Sequence, residues 1–147
     1  MSELQPDPLF QRKRLMRWHV HVDGASSGNP GKSGAGIVVR DDGGEIVFAR
    51  GVYLGEMTNN MAEYEALLRA LATAAEHSVT DITVYTDSQL VANQVTGVYK
   101  IKNKTLFAYV RRVKEIVSNF EHFTIQYIPR EQNREADKLA KDAILKG

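Results

Sequence analysis

Apolar and polar residues alternate along several stretches of the chain, as they do in β-strands. In the first stretch, residues 18–23, every second position is apolar and the last residue is an acid, Asp23. A period of two residues is typical of a strand with one buried face. The sequence Asp-Asp-Gly-Gly at residues 41–44 favours a tight hairpin turn, because Asp and Gly tolerate positive φ. We therefore predict strands over residues 18–23, 35–40, 45–54, 82–86 and 123–128, with the second and third paired as an antiparallel hairpin.

Other stretches have apolar residues three and four positions apart, which is the period of an amphipathic helix. The clearest one carries Tyr64, Leu67, Leu68 and Leu71 on one face. This spacing predicts helices over residues 60–77, 88–96, 105–119 and 132–146. Three strands in hairpin order, followed by strands that helices separate, indicate an α/β fold with a mixed sheet and helices on its faces. We assign residues 17–147 to this domain and residues 1–16 to a flexible polar and basic tail.

Composition sets limits on the class of protein. The 147 residues, 43% of them apolar, suffice for one domain with its own core. No run approaches the ~18 apolar residues of a membrane span, and the polar N-terminus does not resemble a secretory signal. The chain has no cysteine, which excludes disulfides and thiolate metal sites and fits a cytoplasmic protein. The net charge is only +1, but residues 88–114 carry six basic residues and no acid. Half of this run fits the surface of an ordinary helix, and the other half could form an anion-binding edge.

Four acidic residues lie at the ends of predicted elements. Asp23 and Asp87 close strands, whereas Glu63 and Asp137 lie early in helices. Each has an ordinary structural explanation: Asp87 as a helix N-cap, Glu63 in a capping box with Asn60, and Asp137 near the positive end of a helix. If the first and fourth strands are neighbours, however, the four carboxylates meet and repel one another unless a cation binds. Oxygen ligands without cysteine point to Mg²⁺ or Mn²⁺.

Two further motifs are open to a functional interpretation. Residues 26–33 nearly match a phosphate-binding P-loop, but Ser26 replaces the first glycine and a strand pattern follows where a helix is required. His19 and His21 share one face of a strand and could bind a metal as a pair. No third histidine stands near them, so polar groups satisfied at the sheet edge are the simpler interpretation.

Four motifs together resemble those of type 1 ribonuclease H, in the order of that family and across residues 18–145. They are Asp-Gly-Ala-Ser-Ser-Gly-Asn-Pro-Gly at 23–31, Thr-Asn-Asn-Met-Ala-Glu at 58–63, Tyr-Thr-Asp-Ser-Gln at 85–89 and Asn-Arg-Glu-Ala-Asp at 133–137. The resemblance implies a five-stranded mixed sheet, three antiparallel strands and then two parallel ones, flanked by helices. It also implies an endonuclease that hydrolyses the RNA strand of RNA·DNA hybrids and leaves 5′-phosphate and 3′-hydroxyl ends.

A two-metal mechanism follows from this resemblance, with two Mg²⁺ ions, or Mn²⁺ in their place, when substrate is bound. One ion activates a water and the other stabilises the leaving oxygen. Asp23 would bridge the ions, while Glu63 and Asp87 would complete one site. Asp137 would help to hold the ion that carries the water.

Substrate contacts are expected from two further sets of residues. Amides suit a ribose 2′-hydroxyl, because they donate and accept hydrogen bonds without adding charge; those near the acids are Asn29, Asn59, Asn60, Gln89 and Asn93. Lys100, Lys102 and Lys104 occupy alternate positions, so an extended segment would place three ammonium groups on one side, facing phosphates.

The sequence departs from the family pattern at two places. Many members have a histidine in the loop before the last helix, where this chain has Pro-Arg-Glu-Gln at 129–132. Arg130 and Glu131 are therefore possible accessory residues. Some members carry a long basic protrusion, for which residues 97–104 are too short, so part of hybrid binding is expected to shift to basic residues between Arg12 and Arg17.

Two alternatives stay open at this point. One is a nuclease or strand transferase of the same fold that acts on DNA, although such relatives usually have three acids. The other is a hybrid-binding domain with weak catalysis. In each case we expect a monomer with no obligate protein partner and no membrane association.

Overall fold

A computed structural model describes residues 14–147, in which one mixed sheet of five strands has helices on both faces. The strands are β1 (Arg17–Ser26), β2 (Gly31–Arg40), β3 (Ile46–Met57), β4 (Asp81–Thr86) and β5 (His122–Tyr127). The helices of this part of the chain are α1 (Asn59–Glu76), α2 (Gln89–Val95), α3 (Lys104–Val117) and α4 (Arg134–Lys146), with a 3₁₀ turn at Arg130–Gln132. The predicted order of elements and the predicted fold class are confirmed.

Most of the predicted tail, including Arg12 and Lys13, lies outside the described residues. Within residues 14–147, no helix combines the length and the apolar character that crossing a membrane requires.

The strands lie in the order β3-β2-β1-β4-β5, so the first strand is at the centre of the sheet. β1 pairs antiparallel with β2 and parallel with β4, and β5 extends the parallel part. Pairing with β4 ends at Val22 and Thr86, whereas pairing with β2 continues to Ser26. The expectation that the first strand ends at Asp23 is therefore wrong, because the hairpin with β2 keeps its ladder beyond the point where β4 turns away.

The main core lies between one face of the sheet and helices α1 and α3. Alternate residues of β1 face it, and Trp18, Val20 and Val22 are at most 4% exposed. The apolar residues Tyr64, Leu67, Leu68 and Leu71, predicted for one face of α1, are buried. The buried residues of α3 are Leu106, Tyr109, Val110 and Val113. Helix periodicity thus identified the buried faces correctly.

Helix α4 packs on the opposite face of the sheet through very small residues. A Cβ added at Gly36 of β2 would lie 1.9 Å from the backbone oxygen of Ala136, and one at Gly34 would lie 2.3 Å from that of Ala140. Side chains essentially never approach so closely. The helix therefore rests on strand backbone, which fixes the height of its first turn and of Asp137 within it.

The start of α1 differs from the prediction. Thr58 is the N-cap, and its hydroxyl accepts a hydrogen bond from the Met61 backbone N–H at 3.2 Å. The predicted capping box between Asn60 and Glu63 is wrong. Asn60 already lies inside the helix, and the Glu63 carboxylate accepts a hydrogen bond from the backbone of Gly24 on β1.

The segment between α2 and α3 contains neither helix nor strand. Gly97 has a φ of +84°, and Asn103 caps α3 by accepting from two backbone N–H groups of its first turn. Lys100 and Lys102 lie in this segment, whereas Lys104 is the first residue of α3. All three lysines are exposed, but the prediction of one extended run that holds all of them is wrong.

Candidate active site

The predicted acids meet at the carboxyl ends of β1 and β4, where the strand order reverses direction. The chain passes from β1 to β2 on one side and reaches β4 on the other, and such a switch point opens a crevice that binds ligands in α/β sheets. Val22 pairs with Thr86, so the next residues, Asp23 and Asp87, follow side by side. Ser88 caps α2 with its own hydroxyl, so Asp87 is not needed as a helix cap.

Glu63 reaches the same place from the start of α1. Its Oε1 accepts a hydrogen bond from the backbone N–H of Gly24 at 2.6 Å. This close approach requires glycine, since a Cβ at that position would lie 2.2 Å from the carbonyl carbon of Ala62. As a result, carboxylate oxygens of Asp23, Glu63 and Asp87 lie within 4.8 Å of one another.

Asp137 approaches from α4 and lines the same cleft, whose volume is about 730 Å³. It makes two ion pairs with neighbouring basic residues. The Nζ of Lys141 lies 3.0 Å from its Oδ2, and the Nη2 of Arg130 lies 3.8 Å from its Oδ1. Sequence analysis missed Lys141, although its position four residues after Asp137 on a helix was a usable signal.

The acidic cluster cannot keep its full negative charge without a cation. Burial, together with repulsion from Glu63, Asp87 and Asp137, raises the pKa of Asp23 to about 10. Burial is also the main cause that raises the pKa of Glu63 to about 8, although the Gly24 hydrogen bond acts in the opposite direction. Without a bound ion, the carboxyl groups of Asp23 and Glu63 therefore favour their protonated forms at neutral pH.

The donor set fits a hard divalent cation. Three carboxylates from three different elements offer oxygens close enough to share an ion, and oxygen is the ligand that Mg²⁺ and Mn²⁺ prefer. A nearby positive charge would favour the ionised forms of Asp23 and Glu63, the two carboxyl groups whose pKa values are raised. These observations place a possible cation site in the cleft.

A second group of possible ligands, Asp81, Glu121 and His122, lies at the other end of β4. There the Nδ1 of His122 is already 3.0 Å from Oδ2 of Asp81. That contact already uses one oxygen of Asp81 and one ring nitrogen of His122.

Asn133 is a positioning residue that sequence analysis did not single out. It is 1% exposed, and its Nδ2 donates to the carbonyl of Val22 at 2.8 Å and lies 3.4 Å from Oδ2 of Asp87. The backbone N–H of Asp137 donates to the Asn133 carbonyl at 3.0 Å. One side chain and its backbone thus connect the strand before Asp23, the Asp87 carboxylate and the helix of Asp137.

The predicted substrate-binding amides divide between two clefts. Asn59 and Gln89 line the acidic cleft. Asn29 and Asn60 line a smaller cleft of about 290 Å³, and the Asn29 Oδ1 accepts from the Asn59 backbone N–H at 3.0 Å. Asn93 lies on α2, half-buried, and lines neither of these clefts.

The two loop residues predicted as accessory lie in different places. Arg130 lines the acidic cleft beside Asp137. Glu131 is exposed and does not line it.

The fold also accounts for the two remaining motifs. Residues 26–33 lead into β2, with no helix behind them, so the P-loop interpretation fails. The Nε2 of His19 lies 2.8 Å from Oδ1 of Asp42, and the His21 ring stacks on Tyr85 at a centroid distance of 4.7 Å. Neither histidine joins a possible metal-binding group among residues 14–147.

A mixed sheet in this strand order, with carboxylates gathered beside its central strand, defines a protein of the ribonuclease H-like class. In agreement, residues 21–143 match a family model described as reverse transcriptase-like. Ribonuclease HI of Halobacterium salinarum is 41% identical to this chain, over 92% of this chain and 68% of its own length. The bifunctional protein Rv2228c of Mycobacterium tuberculosis is 35% identical over 88% of this chain, which spans only 36% of that protein.

Solved structures give the same result. The crystal structure of RNase H1 from Halobacterium salinarum superposes with a TM-score of 0.87 at 40% identity, over 89% of this chain and 99% of that one. LC11-RNase H1, solved in complex with an RNA/DNA hybrid, has a TM-score of 0.83 at 36% identity, over 88% and 97% of the two chains. The chain belongs to the type 1 ribonuclease H family, whose members are metal-dependent hydrolytic endonucleases.

Proposed function

We propose that this chain hydrolyses the RNA strand of RNA·DNA hybrids, with Asp23, Glu63, Asp87 and Asp137 as catalytic and metal-binding residues. The observation that carries the proposal is the convergence of Asp23, Glu63 and Asp87 within 4.8 Å in one cleft. The hybrid bound in the LC11 structure supports the choice of substrate.

Two Mg²⁺ ions, or Mn²⁺ in their place, are the proposed cofactors. When bound, such ions supply the charge that activates an attacking water and stabilises the leaving 3′-oxygen. Asp23 would be the ligand shared by both ions, because the other three carboxylates all lie close enough to it to raise its pKa. Lys141 and Arg130 orient the Asp137 carboxylate. The expected products carry 5′-phosphate and 3′-hydroxyl ends.

The RNA strand is proposed to meet amide side chains next to the acids. Asn59 and Gln89 line the acidic cleft, where neutral donors and acceptors can contact a ribose 2′-hydroxyl without adding charge. Asn93 lies on α2 four residues after Gln89 and lines neither cleft, so its contact with substrate stays a prediction.

The smaller cleft is proposed to hold the sugar-phosphate backbone of the hybrid. The first turns of α1 and α3 both open into it, with neutral polar residues at each; the lining residues are Asn29, Thr58, Asn60, Met61, Asn103, Thr105 and Leu106. Helix N-termini carry partial positive charge, which suits a phosphate. Lys102 and Lys104 flank the Asn103 cap in sequence and Lys100 lies three residues before it, so we assign all three further phosphate contacts.

One assay distinguishes this proposal from its alternatives. A labelled RNA·DNA hybrid, a DNA duplex and an RNA duplex are each incubated with Mg²⁺, Mn²⁺ or EDTA, and the ends of the products are analysed. Metal-dependent cleavage of the RNA strand in the hybrid, without cleavage of the DNA duplex, is expected. Cleavage of the DNA duplex would identify a DNA-acting nuclease, and hybrid binding without cleavage would identify a binding domain.

A further inference from the structure

A buried hydrogen bond connects the two helices that flank the acidic cleft. Tyr64 directly follows Glu63 on α1 and is fully buried. Its hydroxyl donates to Oε1 of Gln94, on α2, at 2.6 Å. Gln94 is only 5% exposed. Because a buried hydroxyl or amide without its partner is unfavourable, this bond restrains α2 relative to α1.

Helix α2 depends on such restraints more than the other helices do. Seven residues are too few for a helix that is stable by itself, and its buried residues are only Val91, Ala92 and Gln94. Its first residue, Gln89, lines the acidic cleft. Asp87 is held separately, by the end of β4 and by Asn133. A shift of α2 would therefore displace Gln89 more than Asp87.

The ring of Tyr64 is itself fixed from the other side. It stacks on Tyr109 of α3, with centroids 5.4 Å apart and planes inclined by 16°. The Tyr109 hydroxyl donates to Oε2 of Glu65 at 2.7 Å. This hydrogen bond joins α3 to α1 and does not involve α2. The two tyrosines thus have similar packing, but only Tyr64 makes a hydrogen bond to the helix of Gln89.

We infer that Tyr64 and Gln94 are positioning residues for substrate recognition: their hydrogen bond places α2 so that Gln89 meets the RNA strand in the acidic cleft. The inference rests on the proposed function. Since Gln89 is assigned to a ribose 2′-hydroxyl, the pair should influence the preference for hybrid over DNA duplex more than the chemical step.

The variant Tyr64→Phe tests this inference, because it keeps the stacked ring and removes only the hydroxyl. The KM for the hybrid is expected to rise about tenfold, because a displaced Gln89 would lose roughly one hydrogen bond to the RNA strand. The kcat should stay within about twofold of wild type. In an Asp23→Asn background, which is not expected to cleave, the ratio of hybrid affinity to DNA-duplex affinity should fall by a similar factor.

The matched control is Tyr109→Phe, which removes the hydroxyl of the other ring in the same stack. It should lower the melting temperature and leave KM and the affinity ratio unchanged. Gln94→Leu removes the acceptor of the bond and should reproduce the KM effect, and the double variant should be no worse than either single one, because both remove the same interaction.

Two outcomes separate failure of the inference from failure of the proposed function. If the wild-type protein cleaves the hybrid and both Tyr64→Phe and Gln94→Leu keep its KM and affinity ratio, the bond is only structural and the inference is overturned. If the wild-type protein does not cleave the hybrid, the proposed function is overturned instead.

Discussion

The Glu63 carboxylate accepts a hydrogen bond from the backbone N–H of Gly24 at 2.6 Å. Gly24 follows Asp23 on β1, so this bond brings an acid of α1 beside an acid of the central strand. The contact exists because Gly24 has no side chain and lets the backbone of Ala62 approach. The close packing of the Gly24 and Ala62 backbones therefore sets the position of Glu63 relative to Asp23.

The first prediction concerns this contact. Gly24→Ala should push α1 away from β1 and separate Glu63 from Asp23, since the new Cβ would lie 2.2 Å from the Ala62 carbonyl carbon. We expect hybrid cleavage to fall by about 10²-fold or more and the free energy of unfolding to fall by about 1–3 kcal/mol. Initial rates and thermal unfolding measure the two effects. Gly43→Ala is the control, because its Cβ would have no neighbour nearer than 3.4 Å; wild-type rates for Gly24→Ala would contradict the prediction.

The second prediction concerns the charge of the cluster. Asp23→Asn and Asp87→Asn should each abolish cleavage, a fall of about 10³-fold or more. In EDTA at neutral pH, both variants should melt at or above the wild-type temperature, because the folded ion-free protein must bind protons to relieve the repulsion in this cluster and each Asn variant needs fewer of them. Asp142→Asn changes an acid that is paired with Lys138 on the surface of α4 and should keep full activity. Full turnover by Asp23→Asn in Mg²⁺ would rule out the proposed site.

The third prediction concerns pH in the absence of metal. Asp23 and Glu63 have raised pKa values of about 10 and about 8, against ordinary values of 3.8 and 4.5. Between the ordinary and the raised values, the folded ion-free protein binds more protons than the unfolded chain, so its stability falls as pH rises. The melting temperature in EDTA should therefore be lower at pH 8.5 than at pH 5.

The size of this effect follows from the difference between the folded and unfolded pKa values. For each group, every pH unit between its unfolded and its folded pKa lowers the free energy of unfolding by about 1.4 kcal/mol. A loss of this size lowers the melting temperature of a domain of this length by roughly 3–6 °C. Asp23→Asn should show a flatter profile, and excess Mg²⁺ should reduce the decline. An equal or higher wild-type melting temperature at pH 8.5 in EDTA would contradict the assigned electrostatics.

The fourth prediction concerns the loop before α4. Arg130→Ala and Glu131→Ala should each lower the single-turnover rate by less than about tenfold, because bound metal ions supply most of the activation. Arg130 should have the larger effect, since it lies 3.8 Å from Asp137 and lines the cleft, whereas Glu131 does not. A Glu131→Ala variant as inactive as Asp23→Asn would reveal an essential base or ligand in this loop.

The fifth prediction concerns Lys100, Lys102 and Lys104. Changing all three to Ala should weaken hybrid binding at every sequence and raise KM. The slope of log K against log salt concentration should fall in magnitude by roughly 0.7–0.9 for each phosphate that the protein no longer neutralises. The rate at saturating hybrid should stay nearly unchanged, because none of the three lines the acidic cleft. The triple change to Arg keeps the charges and should keep the slope; an unchanged slope in the Ala variant would refute the assignment and direct attention to basic residues between Arg12 and Arg17.

Local patterns in the sequence were sufficient to predict the elements and one essential adjacency. Period-two alternation in β1 and β4, combined with the order of elements, placed Asp23 beside Asp87. Helical periodicity identified the buried face of α1 that carries Glu63. These features depend on residues close in sequence or on strand pairing that the order of elements restricts.

Other features of the cleft depend on contacts between distant residues, which local patterns do not report. The expected capping role of Glu63 was wrong because Gly24, 39 positions earlier, supplies the N–H that its carboxylate binds. Asn133 meets the carbonyl of Val22 across 111 positions. Lys104 was expected in an extended run, yet Asn103 caps α3 and thereby places Lys104 in a helix.

The glycines beneath α4 have a consequence for how the two sides of the cleft tolerate change. In the middle of α1, large side chains such as Leu67 and Leu71 pack in the core between the helix and the sheet, so a substitution there alters a volume that neighbouring rotamers can partly absorb. Under α4, the nearest atoms to Gly34 and Gly36 are the carbonyl oxygens of Ala140 and Ala136, which no rotamer change can move. Sequence change in the middle of α1 can therefore be taken up by side chains, whereas Glu63, held at Gly24, and Asp137, held above Gly34 and Gly36, are both positioned by main-chain contacts that such change leaves in place.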